Sequence, residues 1–192
     1  MIKSFLPKNI ELNPSNLNTL SHSKMVANAA KLISEKTKIL NPEKAYTYGL
    51  LHDIGKFYLP KNESYKHPRK GYELLKNNYP NIANICISHA FPDFNSYQHI
   101  LNYCKNDKIE AEHISNILKS IKKNDYIDLI QLCDKLSALD NYVSIESKLD
   151  WYQSNYHINI DELNVFYSPL KNLKHKFDIL SNCNIYDILK VS

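Results

Sequence analysis

Glycine is scarce in this chain, which contains only three glycines among 192 residues. Two-residue β-hairpins and the phosphate-binding loops of nucleotide-binding α/β folds need glycine at fixed positions. Gly49, Gly55 and Gly71 are too few and too far apart to form such a loop. Apolar residues recur instead at steps of three and four, which is the helical period. The sequence therefore predicts an all-α fold.

Length and apolar pattern narrow the class of protein further. A chain of 192 residues predicts one domain with a short appendage. No apolar run approaches the roughly 18 residues that a membrane helix needs, and the N-terminal segment has no apolar stretch of signal-peptide length. The four cysteines have no Cys-x-x-Cys spacing and are interpreted as reduced core residues. We therefore expect a soluble, cytoplasmic protein without a membrane partner.

The charged residues argue against a nucleic-acid partner. The chain carries 24 lysines and arginines against 20 acidic residues, a formal net charge of +4. Arg69 is the only arginine, and the lysines are scattered along the sequence. Surfaces that contact phosphates and bases favour the bidentate guanidinium of arginine. The sequence therefore does not predict a dedicated nucleic-acid-binding protein.

The helical pattern can be followed along most of the chain. After an extended arm of about 15 residues, Asn16 or Asn18 is predicted to cap a first helix that runs to about Lys38. A second helix begins at Asn41, with proline in the first helical position, and Gly55 is placed to end it. Further helices are predicted over residues 68–77, 80–89, 97–105, 110–121 and 126–139, followed by two or three shorter ones within residues 143–192, where no chemical motif is present.

Polar residues occur at positions that the helical pattern predicts to be buried. Asp134 lies inside the most apolar helix, where an ionised carboxylate costs several kcal/mol unless it is paired or binds a metal. His22 and the pair His52-Asp53 raise the same question on two other helices. Imidazole and carboxylate are the ligands of iron, manganese and zinc. The alternatives are an Asp134 that pairs with Lys135 at a polar edge, and histidines that are satisfied within the core.

The order and spacing of these residues resemble a known family. Residues 50–56 read Leu-Leu-His-Asp-Ile-Gly-Lys, with His22 upstream of the His52-Asp53 pair and Asp134 downstream of it. This pattern resembles the HD superfamily of metal-dependent phosphohydrolases. The resemblance implies that all four residues coordinate metal on an all-helical scaffold.

The resemblance also implies a domain organisation. It covers roughly residues 18–140 and predicts a compact helical bundle of the HD-domain type over residues 1–142. The remaining residues, 143–192, are then a helical C-terminal extension packed on that bundle.

Two more histidines extend the resemblance to binuclear HD enzymes. His67 opens a segment similar to the His-x-x-x-Gly-x-x-Leu-Leu segment of those enzymes, and His89 ends the next helix. The resemblance implies two divalent ions (iron or manganese, with zinc, nickel or magnesium as alternatives), bridged by Asp53. The alternatives are an exposed residue at the helix start for His67 and a helix C-terminal cation for His89. Ala90 follows His89 where many binuclear relatives carry a second histidine.

The resemblance further implies an activity. We expect a metal-dependent phosphohydrolase that cleaves a small phosphate ester or anhydride, a nucleotide or a dinucleoside polyphosphate, by attack of metal-activated hydroxide on phosphorus. Asp53 and Lys56 are the predicted catalytic residues, and Lys56 and Arg69 the predicted substrate-binding cations. Residues 57–66 and 91–97 are expected to form loops that determine which substrate is bound.

Two other functions, and a homodimeric assembly, are also compatible with the sequence. The same fold is used by phosphodiesterases that act on RNA ends or cyclic nucleotides. The segment Phe-Pro-Asp-Phe-Asn-Ser-Tyr (91–97) stands where cyclic dinucleotide phosphodiesterases carry Gly-Tyr-Pro, which argues against that substrate. A non-catalytic nucleotide-sensing module, with residues 143–192 as a partner surface, is the alternative of another class.

Overall fold

The computed structural model describes residues 5–7, 13–156 and 160–191, with side chains except those of residues 152, 155, 156 and 160–166. No strand occurs in these ranges, where one isolated bridge joins Ser137 to Tyr142. The prediction of an all-α fold is confirmed. Its helices are α1 (Pro14–Thr37), α2 (Pro42–Leu51), α3 (His67–Leu75), α4 (Pro80–Ser88), α5 (Tyr97–Tyr103), α6 (Lys108–Ser120), α7 (Asp125–Leu136), α8 (Ile145–Tyr156), α9 (Ile160–Ser181) and α10 (Ile185–Leu189), with 3-10 helices over Ile54–Tyr58 and Lys61–Lys66.

Asparagine followed by proline starts the first two helices. The Asn13 side chain accepts a hydrogen bond from the Asn16 backbone N–H at 3.0 Å, and Pro14 is the first helical residue. The predicted caps, Asn16 and Asn18, were therefore wrong, because the pattern that correctly placed Asn41 occurs one turn earlier. Most of the predicted N-terminal arm lies outside the described residues.

The structure corrects the predicted role of Gly55. Helix α2 ends at Leu51, and Gly55 lies within the following 3-10 helix without a positive φ. A Cβ at this position would overlap the backbone carbonyl of His67 and lie 2.7 Å from the Gly71 nitrogen. Glycine is thus required here for the close approach of α3, and not as a helix stop.

Helix α7 lies at the centre of the bundle. It packs against α1, α2, α4, α8 and α9, and Ile130 and Leu132 are completely buried, as the sequence predicts. Leu170 and Phe177 of α9 belong to the same hydrophobic cluster. The helices after residue 142 therefore pack on the bundle, while a domain boundary at that residue stays a prediction. No helix within the described ranges combines the length and apolar character needed to cross a bilayer.

Helices α1 and α2 cross closely, and this crossing positions two of the predicted metal ligands. A Cβ on Gly49 of α2 would lie 2.7 Å from the Cα of Ala27 in α1, so only glycine permits this approach. His22 precedes Ala27 on α1, and His52 directly follows α2. The crossing brings their imidazole rings to 5.5 Å between centroids.

Candidate metal centre

Three buried histidines are held in the same way. His52, His67 and His89 each direct Nδ1 at the backbone carbonyl three residues earlier in the chain. Because a carbonyl only accepts, Nδ1 carries the proton and donates it, which leaves the Nε2 lone pair of the neutral ring free. The accepting carbonyls belong to Gly49, Ser64 and Cys86, at 2.7, 2.7 and 2.8 Å respectively.

Asp53 lies between these imidazoles. Its Oδ1 is 2.9 Å from Nε2 of His67 and 3.4 Å from Nε2 of His89. Its Oδ2 is 3.4 Å from Nε2 of His52 and accepts a hydrogen bond from the Lys56 ammonium at 2.5 Å. The two oxygens of one carboxylate therefore face different histidines, which is the arrangement a bridging ligand needs.

Asp134 joins the cluster from α7. Its Oδ1 lies 2.9 Å from Nε2 of His22 and 3.5 Å from Nε2 of His52. Its Oδ2 pairs with Lys135 at 2.7 Å. Asp134 therefore pairs with a lysine, as one interpretation had it, and also contacts the histidines of the candidate metal cluster, as the other had it. The structure brings together all six residues predicted as metal ligands: His22, His52, Asp53, His67, His89 and Asp134.

Several buried atoms of this cluster lack a hydrogen-bond partner. Nε2 of His67 and Nε2 of His89 lie 3.1 Å apart with their lone pairs facing each other when both Nδ1 atoms are protonated. Nε2 of His52 and Oδ1 of Asp53 are buried without a hydrogen-bond partner. Such groups are costly in a protein interior, and a cation among them removes that cost. The donor set therefore fits divalent metal.

The geometry defines two overlapping groups of ligand atoms. Within each group the candidate atoms lie no more than 4.8 Å from one another. Nitrogen and carboxylate oxygen donors of this kind suit iron, manganese, zinc and nickel. The groups are His22, His52 and Asp134, and His52, Asp53 and His89.

The electrostatics of the site favour the metal-binding protonation states of Asp53 and His67. Burial raises the pKa of Asp53, but His52, Lys56 and His67 outweigh it and hold that pKa well below its usual range. Burial and the charge of Lys56 lower the pKa of His67 to about 4. An ionised carboxylate therefore faces a neutral imidazole near neutral pH, and these are the forms that coordinate metal.

Comparison with known proteins assigns the family. A family model described as the HD domain matches residues 19–139, more than half of the chain, and this range contains all six clustered residues. The chain belongs to the HD domain family. No curated protein and no solved structure matches the chain at a significant level. HD domains are in general metal-dependent phosphohydrolases, as the sequence resemblance implied, and the metal cluster of this chain is compatible with that chemistry.

The two predicted substrate cations of this HD domain occupy different settings. Lys56 lies at the metal centre through its ion pair with Asp53. The guanidinium of Arg69 is bound by the buried carboxylate of Glu110, with Nε 2.8 and 2.9 Å from its two oxygens. This pair joins α3 to α6. The substrate-binding role of Arg69 stays a prediction, which the pairing makes testable.

We expect Arg69→Met to lower stability more than substrate affinity. The substitution leaves the Glu110 carboxylate buried without a partner, which costs about 2 kcal/mol for a pair that is one-third exposed on the arginine side. The midpoint of thermal unfolding, followed by circular dichroism, should fall by roughly 4–8 °C. The double variant Arg69→Met/Glu110→Met should recover most of that loss. An increased KM with unchanged thermal stability would instead support the role of Arg69 in substrate binding.

Sequence reasoning missed a residue that supports His89. Gln131 of α7 is fully buried, and its side-chain amide donates to the carbonyls of Ser88 and Phe91, both at 2.8 Å. These bonds fix the turn after α4 that carries His89. A signal was present, because Gln131 is a polar residue in the most apolar helix, one turn before Asp134.

Proposed function

We propose that this HD domain hydrolyses a phosphate ester or anhydride bond of a nucleotide with two divalent ions. The observation that supports the proposal is the position of Asp53, whose two carboxylate oxygens face different histidines. One ion would be held by His22, His52, Asp53 and Asp134. The other would be held by Asp53, His67 and His89.

The residues of the chain would have separate roles in metal binding and in phosphate binding. When bound, the ions would clamp phosphoryl oxygens and activate water for in-line attack on phosphorus. The Nδ1–H bonds of His52, His67 and His89 keep Nε2 available and the rings fixed. Coordination of the Asp53 oxygens would release the Lys56 ammonium, whose positive charge is then free to hold a phosphate oxygen.

We propose iron or manganese as the native metal, and the donor set is one that both accept. Cys86 lies close to the site, but its thiol donates to the Leu51 carbonyl at 3.3 Å, and burial raises its pKa far above neutral. The ligands are therefore nitrogen and oxygen atoms, which zinc, nickel and, less well, magnesium also accept. The described cysteines are unpaired, which fits a reducing, cytoplasmic setting.

Metal content tests this proposal. Protein purified without chelator or metal-affinity tag should contain about two metal equivalents per chain by elemental analysis. We expect His67→Ala and His89→Ala each to reduce this to about one or fewer, because each removes a ligand of the second ion. His113→Ala, an exposed histidine of α6, is the matched control and should keep both ions.

The other outcomes separate the alternatives. About one equivalent that neither substitution changes would indicate a mononuclear site. Absence of metal under every supplementation would contradict the enzyme assignment. Phosphate release from nucleoside mono-, di- and triphosphates and from dinucleoside polyphosphates then identifies the substrate. Nucleotide binding without any turnover would favour the sensing module.

A further inference from the structure

A cavity of about 440 Å³ opens beside His22, between the loop that follows α7 and helix α8. Its volume lies in the range of small-molecule binding sites. His22 is the candidate metal ligand that lines it, and the C-terminal extension supplies part of the opposite wall. Leu139, Lys148 and Trp151 line it together with His22.

The metal centre adjoins this cavity through His22. His52, Asp53, His67 and His89 are all buried. Among the six candidate ligands, the side chains of His22 and Asp134 keep the most exposure, 18% and 11%. Because His22 lines the cavity, a ligand held there lies next to the metal centre.

Lys148 places a positive charge in the wall of the cavity. Burial lowers the pKa of its half-buried ammonium, while the charge of Asp134 raises it, so the two groups lie within electrostatic reach of each other. Within the described ranges this ammonium forms no ion pair. Partial burial of a cation without a counterion is unfavourable. An anionic ligand in the cavity would form the ion pair that Lys148 does not make with a side chain in the described ranges.

Trp151 gives the same wall an aromatic surface. It is the only tryptophan of the chain, and half of its surface is exposed. It follows Lys148 by three residues on α8, which places both side chains on one face of the helix. Leu139, a large apolar side chain that is also exposed, lines the cavity with it. Aromatic side chains in such positions stack on nucleobases.

We propose that helix α8 completes the substrate pocket: Lys148 binds the phosphate of a nucleoside phosphate and Trp151 stacks on its base. The reacting phosphate then lies at the metal centre beside His22, and the base lies further out along α8. This inference rests on the proposed function. It assigns the recognition of the substrate, a nucleoside phosphate, to the C-terminal extension.

The fluorescence of Trp151 reports on binding without requiring turnover. Metal-loaded protein is titrated with each of the four nucleoside monophosphates and, as the matched ligand without a base, with ribose 5-phosphate. We expect saturable quenching by at least one nucleoside monophosphate and none by ribose 5-phosphate. Lys148→Met should weaken the apparent Kd about 10-fold, because a charge-assisted contact is lost. Lys148→Arg should restore it, and Lys119→Met, an exposed lysine of α6, should leave it unchanged.

Kinetics distinguish substrate positioning from a structural role. Lys148→Met should raise KM about 10-fold with little change in kcat. Trp151→Ala should raise KM for the nucleoside monophosphate but not for ribose 5-phosphate, while Trp151→Phe keeps the stacking surface. Equal loss on both ligands in Trp151→Ala, or no change in any variant, would overturn the proposal.

The two proposals fail in different ways. If metal-loaded wild type hydrolyses nucleotides without any change in Trp151 fluorescence, the pocket assignment is wrong and the proposed function stands. If saturable quenching depends on Lys148 but no phosphate is released, α8 forms the pocket of a protein that is not a hydrolase.

Discussion

Asp53→Asn is expected to lower the rate of phosphate release at least about 1000-fold, equivalent to roughly 4 kcal/mol of activation free energy. The carboxamide has one oxygen instead of two and points N–H donors at His52 or at His67, so it cannot bridge two ions. Metal content should fall with activity, from about two equivalents to one or fewer. Steady-state phosphate release and elemental analysis of the same preparation measure both quantities.

The matched control for this substitution is Asp187→Asn. Asp187 is an exposed carboxylate on α10, far along the chain from the cluster, and its replacement should change neither quantity. Circular dichroism of Asp53→Asn should show an intact helical fold. Hydrolysis at the wild-type rate by the folded Asp53→Asn protein would refute the mechanism.

Gly55→Ala is expected to be the most destabilising single-methyl change in the site. The added Cβ would overlap the His67 carbonyl and meet the Gly71 nitrogen at 2.7 Å, and backbone atoms cannot rotate away as a side chain can. Displacement of α3 should cost about 3 kcal/mol or more, which lowers the thermal midpoint by roughly 6–12 °C. Because α3 begins with His67, the metal content should also decrease.

Gly71→Ala provides the comparison. Its Cβ would meet the Cys86 side chain, at 2.9 Å from that Cβ, where a small shift between α3 and α4 relieves the contact. We expect a smaller loss of thermal stability than for Gly55→Ala and a smaller loss of metal. A Gly55→Ala protein with a thermal midpoint within about two degrees of wild type would show that the close approach is not required.

The fold class and the unusual positions of His22, His52-Asp53 and Asp134 followed from local sequence, for a physical reason, whereas His67 and His89 came only from the family resemblance. Helical periodicity and caps such as Asn41 depend on residues within a turn or two of each other. Asp134 and His52 were identifiable because a polar group in an apolar helix needs a partner. The sequence pattern then matched that of a family, and the structure placed these residues in contact.

Other features could not be predicted from local sequence, because they depend on contacts between segments that are distant in the chain. The close approach of Gly55 to His67 is a property of how α3 lies on the 3-10 helix. The same holds for Lys148 and Trp151, which lie more than a hundred residues after His22 and meet it only when α8 packs on the bundle. Periodicity in residues 143–192 predicts helices there but not the surface they cover.

The Nδ1–H bonds of His52, His67 and His89 have a consequence for how the centre is assembled. Each bond closes within four consecutive residues, so it needs no contact with another segment of the chain. The acceptor that selects the tautomer of each of these three rings is therefore supplied by the segment that carries the ring, and not by another helix. Association of α2, α3 and α4 has to bring the Nε2 atoms together but does not have to set which nitrogen carries the proton.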